Sequence, residues 1–250
     1  MRKDFYSEYY EIESTHWWFT GRRRIFATML DRYAGLDDRR RMLDLGCGTG
    51  TMLQFLQGWG RPIGADVDDS AVTFCRQRGC GVLVRCAAEA LPFANEALQV
   101  ITAFDLLEHV ADEKRVLKEL YRVCQRGGKF MATVPAYDFL WGRQDEISKH
   151  QRRYTAPVLR TRVVNAGFVP LKVSYLNTFL FPIIAIVRLF RRLWGIFRPA
   201  TEEVCVSDFS MTSAGRLNDL LGWLFALEAS LLARINLPWG VSILVVAQRA

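Results

Sequence analysis

A glycine-rich turn constrains the fold of this chain more than any other feature. Residues 42–45 form a short, mostly apolar segment typical of a buried strand, and glycine follows at positions 46, 48 and 50, before a helical pattern begins. Glycines in such a turn let the backbone bend sharply and come close to a ligand. Asp66 ends the next predicted strand, where a carboxylate can bind both hydroxyls of a ribose. The pattern predicts an α/β domain that binds an adenosine-containing ligand.

Strand and helix signals alternate from this turn to about residue 135. Predicted strands lie at 42–45, 62–66, 82–85, 100–104, 129–134, 170–175 and 242–247, and predicted helices at 51–59, 70–78, 112–124 and 156–166. This order indicates a parallel sheet covered by helices on both faces. We therefore predict a Rossmann-like, doubly wound, mostly parallel seven-stranded α/β sheet. Its predicted parts are an N-terminal helical arm (1–41), a core (42–175), an amphipathic helical insertion (176–240) and a last core strand (241–250).

The turn differs from those that bind phosphates. Its third glycine comes one residue too early for the dinucleotide pattern, and no P-loop motif is present. Asp44, directly before the turn, would repel a pyrophosphate. Its carboxylate suits a cation instead, such as the α-ammonium group of a zwitterionic methionine moiety.

Several segments in this order resemble the class I methyltransferases of the type 11 group, which use S-adenosylmethionine (SAM). Residues 43–50 resemble their first SAM motif, 64–66 the ribose-binding strand end, 89–93 the adenine-side loop, 105–110 the segment at strand four and 122–128 the turn before strand five. The chain departs from the group at Ala87, at Leu98-Gln99 and at Arg126, none of which belongs to the implied methionine or ribose contacts. The resemblance implies SAM as cofactor. The predicted cofactor-binding residues are Asp44, Gly46, Cys47, Gly48, Gly50, Asp66, Val67, Ala88, Glu89, Asp105, Trp18 and Arg22.

Trp18 and Arg22 belong to an aromatic and basic stretch of the arm, residues 16–24. This stretch resembles the N-terminal cover of some methyltransferases, including enzymes of quinone pathways. Two interpretations are compatible. The arm packs on the sheet, and it also forms a lid that keeps water from the cofactor.

Residues that follow strands four and five are expected to line the acceptor pocket, because ligands of such sheets bind at the carboxyl ends of the strands. His150 is the first candidate for a general base, and a solvated loop histidine is the open alternative. Tyr137 and Asp105 are the other candidate catalytic residues. The predicted substrate-binding residues are His109, Arg152, Arg153 and Tyr154.

We predict no metal, since the region after strand four lacks a close cluster of Asp, Glu and Asn. The six cysteines form no C-x-x-C pair, which argues against a zinc or dithiol site. Residues 1–5 include no apolar stretch of the kind found in a signal peptide, so a cytoplasmic protein is expected.

The predicted insertion carries two apolar, aromatic helical patterns. In the first, apolar residues from Ile183 to Phe197 recur at helical spacing beside Arg188, Arg191, Arg192 and Arg198. Its uninterrupted apolar run is only nine residues, 179–187, too short to cross a bilayer. We expect peripheral contact with an anionic membrane through 179–198 and 217–235. A helical cap and a dimer face are the alternatives.

The function predicted from these features is O-methylation of a small or lipid-linked acceptor (polyprenol, glycan or quinone-like) at the inner face of the cytoplasmic membrane. The net charge of +7 suggests an RNA methyltransferase as one alternative. Against it, strand four is followed by Asp105-Leu106-Leu107-Glu108, without the motif that grips a flipped base, so no nucleic-acid partner is expected. A non-enzymatic SAM-binding scaffold at the membrane is the second alternative.

Overall fold

The computed structural model describes residues 3–197 and 215–250, with side chains described for 6–190 and 215–250. One seven-stranded sheet runs through it in the order β3-β2-β1-β4-β5-β7-β6. The strands are β1 (Arg41–Leu45), β2 (Arg61–Asp66), β3 (Val82–Arg85), β4 (Leu98–Phe104), β5 (Cys124–Pro135), β6 (Phe168–Leu176) and β7 (Ser242–Arg249). β1 to β5 pair in parallel, whereas β7 is antiparallel to both β5 and β6. The predicted fold class is confirmed.

Nine α-helices lie in the described residues. They are α1 (Lys3–Ile12), α2 (Trp17–Tyr33), α3 (Thr51–Leu56), α4 (Asp69–Gln77), α5 (Glu113–Val123), α6 (Arg143–Ile147), α7 (Ala156–Asn165), α8 (Phe181–Phe197) and α9 (Arg216–Leu232). Two local features differ from the sequence-based assignment. α4 begins one residue before the predicted start at 70, and Asp68 caps it, because its carboxylate accepts the Ser70 N–H at 2.8 Å. The segment 137–154, for which the sequence predicts no helix, includes α6 and a short 3-10 turn at Asp138–Leu140.

The sheet has an apolar layer on each face. Side chains of a strand point alternately to its two sides. Thus Leu43 belongs to the core under α5 and α7, which includes Phe130, while Met42 belongs to the core under α2 and α9, which includes Phe225. The carboxyl ends of the parallel strands are left free for a binding site between these layers.

The predicted insertion is partly a component of this core. Phe225, Ala229 and Leu232 of α9 are buried against α2. Glu228, also buried, accepts the backbone N–H groups of Asn177 and Phe179 at 2.7 and 3.0 Å, which ties α9 to the end of β6. α9 therefore completes one helical layer of the domain. Among the described residues, no helix is both long and apolar enough to span a membrane.

Candidate active site

The site lies where the strand order reverses, at the carboxyl ends of β1 and β4. Chains in doubly wound sheets leave these two strands in opposite directions, which opens a crevice between them. A cavity of about 670 Å³ occupies this crevice, a volume in the range of small-molecule sites. Its walls come from the arm, the glycine turn, the residues after β4, the segment around α6, and α8.

Asp44 forms part of the cavity wall at the end of β1. The Thr102 hydroxyl donates to Asp44 Oδ1 at 2.7 Å, while Oδ2 is buried without a hydrogen-bond partner among the described residues. Burial raises the pKa of this carboxyl to about 7. A buried acceptor without a donor is costly, and a cationic ligand would satisfy it.

The glycine turn approaches the cavity through its backbone. Gly46 and Gly50 have backbone φ angles of 76° and 88°, which residues other than glycine rarely adopt. A Cβ atom on Gly50 would lie 2.7 Å from Cys80 Sγ. Cys47 also lines the cavity, but its Sγ lies 3.7 Å from Cys75 Sγ. Its contribution to ligand binding is therefore expected from the main chain.

Asp66 stands at the end of β2, next to the turn. Its Oδ2 accepts the Gly48 N–H at 3.1 Å and its Oδ1 accepts the Asp68 N–H at 3.0 Å, so the carboxylate is held in a fixed orientation. Each oxygen retains a lone pair for a ribose hydroxyl. Asp66 and four other predicted cofactor residues lie outside the cavity lining, namely Gly50, Val67, Ala88 and Glu89. Their contact with the cofactor stays a prediction.

The arm closes the cavity beside the turn, through residues that sequence analysis missed. The Glu13 carboxylate accepts the Thr51 hydroxyl at 2.6 Å and also accepts the Thr49 hydroxyl. Tyr6 is buried, and burial together with the charge of Asp66 raises the pKa of its phenol. Nothing in the sequence near Glu13 signals this contact, because its partners are more than thirty residues away.

Arg22 joins the arm to the strand ends. Its guanidinium pairs with Asp105 and donates to the Thr133 hydroxyl at 2.6 Å, and Thr133 in turn donates to Asp105 at 3.0 Å. Trp18 and Phe26 cover the guanidinium at 5.4 and 5.2 Å from their ring centroids. Trp18, Arg22 and Asp105 all line the cavity, and their contact with the cofactor stays a prediction. Because its carboxylate is already engaged, Asp105 is better suited to positioning the arm than to acting as a base.

Glu108, His109 and His150 also line the cavity, in a region that we call its acceptor end. The two imidazole rings meet edge to face at 4.7 Å between centroids. Burial, with a smaller effect of His150, lowers the pKa of His109 to about 4, so this ring is neutral at physiological pH. Glu108 is fully buried, and burial followed by the charge of Asp105 raises its pKa well above the usual range.

His150 is fixed by a buried carboxylate that sequence analysis did not identify. Asp145 Oδ1 lies 2.8 Å from His150 Nδ1, and Arg153 donates to both Asp145 oxygens at 2.8 and 2.9 Å. Burial alone would raise the pKa of Asp145, but the hydrogen bonds from His150 and Arg153 hold it at about 2. Arg188 of α8 approaches the same carboxylate at 3.7 Å.

Three predicted residues lie outside the cavity lining. The ring of Tyr137 stacks on Tyr175 at 5.1 Å, and burial raises the pKa of its phenol. Tyr154 is buried and donates to Glu113 at 2.6 Å, while Arg152 donates to the Ala111 carbonyl at 3.2 Å. The structure thus brings together His109, His150 and Arg153 of the predicted acceptor-side residues, and gives Tyr137, Arg152 and Tyr154 structural contacts.

A carboxylate beside a glycine turn and a second carboxylate at the end of the next strand, at the reversal point of a seven-stranded sheet, are the features of a class I methyltransferase domain. A family model described as "Methyltransferase domain" (type 11) matches residues 43–132. Over these residues the chain carries a methyltransferase domain of the type 11 group, and it is similar to SAM-dependent methyltransferases. Their cofactor is SAM. The unpartnered Oδ2 of Asp44 and the open backbone at the glycine turn fit its ammonium and methionine moiety.

Similar proteins agree on this class. A protein of Mycolicibacterium smegmatis described as a probable SAM-dependent methyltransferase is 29% identical over 161 residues, which cover 63% of this chain and 61% of that protein. The ubiquinone/menaquinone biosynthesis C-methyltransferase of an Enterobacter species is 30% identical over 148 residues, or 54% of this chain and 57% of that enzyme. The chain thus spans about three fifths of these relatives.

A solved structure shares the fold. The complex of the Haloferax volcanii Trm112 methyltransferase activator with a methyltransferase gives a TM-score of 0.60 at 19% identity, covering 90% of this chain and 88% of that one. At this level of identity the similarity concerns the fold alone.

We predict that Asp66→Ala weakens SAM binding by about 1.5–3 kcal/mol, the cost of losing hydrogen bonds to a charged acceptor. Isothermal titration calorimetry measures the change. Asp69→Ala is the matched control, because Asp69 is an exposed carboxylate that pairs with Arg85 at 3.0 Å on the surface. Unchanged affinity in a folded Asp66→Ala protein would remove the ribose assignment.

A second prediction concerns the pH dependence of SAM binding. Since the pKa of Asp44 is about 7 in the free protein, much of this carboxyl is protonated at neutral pH. A cationic ammonium favours the ionised form, so binding should release a proton and tighten as pH rises from about 6 to 8. Calorimetry in two buffers of different ionisation enthalpy detects that proton. Asp44→Asn should bind more weakly and lose the release, and proton release at the wild-type level in this variant would contradict the assignment.

Proposed function

We propose that the protein transfers the methyl group of SAM to a hydroxyl on a small or lipid-linked acceptor at the inner face of the cytoplasmic membrane. The observation that carries the proposal is the continuity of the cavity. One space runs from Asp44 and the glycine turn to the His109–His150 pair. Donor and acceptor can therefore meet in a compartment closed by the arm.

The main task of this cavity in methyl transfer is to align the acceptor oxygen with the methyl group of SAM. Bound SAM supplies a methyl group on a positively charged sulfur. The acceptor oxygen forms a bond to the methyl carbon while the carbon–sulfur bond breaks, and the bonding electron pair returns to sulfur. The hydroxyl proton leaves at the histidine end. Trp17 and Trp18 of the arm line the same space, where they exclude water and hold the reactants together.

A lipid-linked acceptor is supported by the position of α8. Ile183 and Val187 line the cavity and yet are 63% and 44% exposed, so this helix connects the cavity to the surface. Ile186 and Phe190, on the same helix, are 55% and 62% exposed. An apolar entrance of this kind suits an acceptor that partitions into a bilayer.

The structure changes one part of the membrane prediction. Arg188 donates to the Leu140 carbonyl and lies 3.7 Å from Asp145, so it faces the domain rather than a lipid headgroup. The side chains of Arg191, Arg192, Trp194 and Phe197, together with Arg198, lie outside the described residues. Their part in binding anionic lipid stays a prediction.

The pairing of the cavity's arginines favours a small acceptor group over RNA. Of the lining arginines, Arg22 and Arg153 pair with Asp105 and Asp145, Arg188 approaches Asp145, and Arg23 donates to backbone carbonyls, so these charges are engaged within the protein. Two alternatives are tested directly below. One is a scaffold that binds SAM without transferring its methyl group, and the other is methylation of a carbon atom, as named for the Enterobacter relative.

The proposal is tested by incubating the protein with SAM carrying a radiolabelled methyl group and separate lipid, glycan and RNA extracts. We expect label in the lipid or small-molecule fraction, and its release as methyl iodide by hot hydriodic acid, which cleaves ethers and esters but not carbon–carbon bonds. Asp66→Ala should reduce the incorporation at limiting SAM, and Asp69→Ala should not. Label in the RNA fraction, label resistant to hydriodic acid, or SAM binding without transfer would each contradict the proposal.

Membrane contact through α8 predicts that Ile186→Glu combined with Phe190→Glu releases the protein from phosphatidylglycerol vesicles. Burying such a side chain contributes about 1.5–3 kcal/mol, so vesicle affinity should fall by at least about tenfold. Liposome flotation measures it. Val82→Glu is the control, since Val82 is 59% exposed on β3 at the sheet edge. Wild-type protein that stays soluble at low salt would favour a cap or a dimer face for α8.

A further inference from the structure

Three side chains at the acceptor end of the cavity converge on one point. Glu108, His109 and His150 each offer one ligand atom, and these atoms all lie within 4.8 Å of one another. Glu108 and His109 follow β4, whereas His150 comes after α6. The group is assembled by the fold, and all three residues line the cavity.

The environment of Glu108 indicates a binding site for a cation at this point of the cavity. Its side chain is fully buried, and neither carboxylate oxygen has a hydrogen-bond partner among the described residues. An unpaired buried carboxylate is costly in a folded protein. Because Arg22 is paired with Asp105, and Arg153 with Asp145, the nearby arginines already serve other carboxylates.

His150 is oriented as a metal ligand usually is. A ligating imidazole commonly uses its second nitrogen to hydrogen-bond a carboxylate or a backbone carbonyl. His150 Nδ1 lies 2.8 Å from Asp145 Oδ1, which leaves Nε2 for another partner. The ring of His109 meets the ring of His150 edge to face, at 4.7 Å between centroids.

We propose that Glu108, His109 and His150 form a binding site for a divalent transition-metal ion or zinc, which holds the acceptor oxygen. The proposal rests on the proposed methyl transfer and replaces direct proton removal by His150. Two imidazoles and one carboxylate suit Zn²⁺, Fe²⁺, Mn²⁺ and Co²⁺, and three protein ligands leave positions open for a substrate. Coordination lowers the pKa of a hydroxyl, so its proton passes to water while the oxygen bonds to the methyl carbon.

This proposal departs from the sequence-based expectation that no metal is needed. That expectation rested on residues close to one another in the chain. His150 is distant from Glu108 in sequence, and its approach depends on α6, which the sequence did not predict.

The test is cobalt binding to the full chain after treatment with EDTA. Titration with Co²⁺, followed by visible absorption, should show about one ion per chain, as expected for a single three-ligand site. Zn²⁺ should compete. Glu108→Gln and His150→Gln should each weaken Co²⁺ binding by about tenfold or more. His16→Asn is the matched control: His16 also lines the cavity, its Nδ1 caps α2 at 3.2 Å from Trp18 N, and asparagine keeps the cap.

SAM affinity, measured by calorimetry on the same proteins, separates this proposal from the methyltransferase function and shows that each variant is folded. Wild-type protein that binds SAM but no cobalt would overturn the metal site and leave methyl transfer intact. Cobalt binding that is unchanged in both Glu108→Gln and His150→Gln would also overturn it. Loss of cobalt binding in these two variants, with retained SAM affinity and an unaffected His16→Asn protein, would support it.

Discussion

The acceptor end of the site depends on one buried carboxylate. Asp145 is fully buried, and it is ionised because Arg153 donates to both of its oxygens and His150 supplies a further hydrogen bond. A buried ion pair of this kind gains little net stability, but removing one partner would leave an uncompensated charge. The pair therefore fixes geometry: it sets the ring of His150, and through Arg188 it holds α8 against the cavity.

A second buried pair does the same for the arm. The guanidinium of Arg22 contacts Asp105 and Thr133 near the carboxyl ends of β4 and β5, and it lies against the rings of Trp18 and Phe26. Glu13 fastens the arm at the glycine turn through two threonine hydroxyls. Because these contacts are polar and specific, the arm lies in one orientation over the cofactor end. Such contacts can also be broken and remade when a ligand enters.

The fold and the cofactor end could be predicted because their signals are local. The glycine turn, Asp44 and Asp66 lie within 25 residues, and strand and helix periods are visible in the same stretch. The acceptor end was predicted less well, because its contacts join distant segments. α6 is five residues long and polar, so it has no periodic pattern. Asp145 and Glu13 look like surface acids until the fold buries them. The sequence predicts an insertion where α9 lies, since apolar spacing does not reveal which layer a helix joins.

The cavity is less basic than the whole chain. The protein carries a net charge of +7, yet the side-chain oxygens in the cavity without a described partner belong to two carboxyl groups, Asp44 and Glu108, and to Gln144. Of the lining arginines, Arg22 and Arg153 pair with Asp105 and Asp145, Arg188 approaches Asp145, and Arg23 donates to backbone carbonyls. A cation beside Asp44 or Glu108 would favour the ionised form of that carboxyl group. The cavity therefore suits the proposed ammonium group beside Asp44 and the proposed metal ion beside Glu108. The basic surplus of the chain is therefore more relevant to an anionic surface outside the cavity than to the group that is methylated.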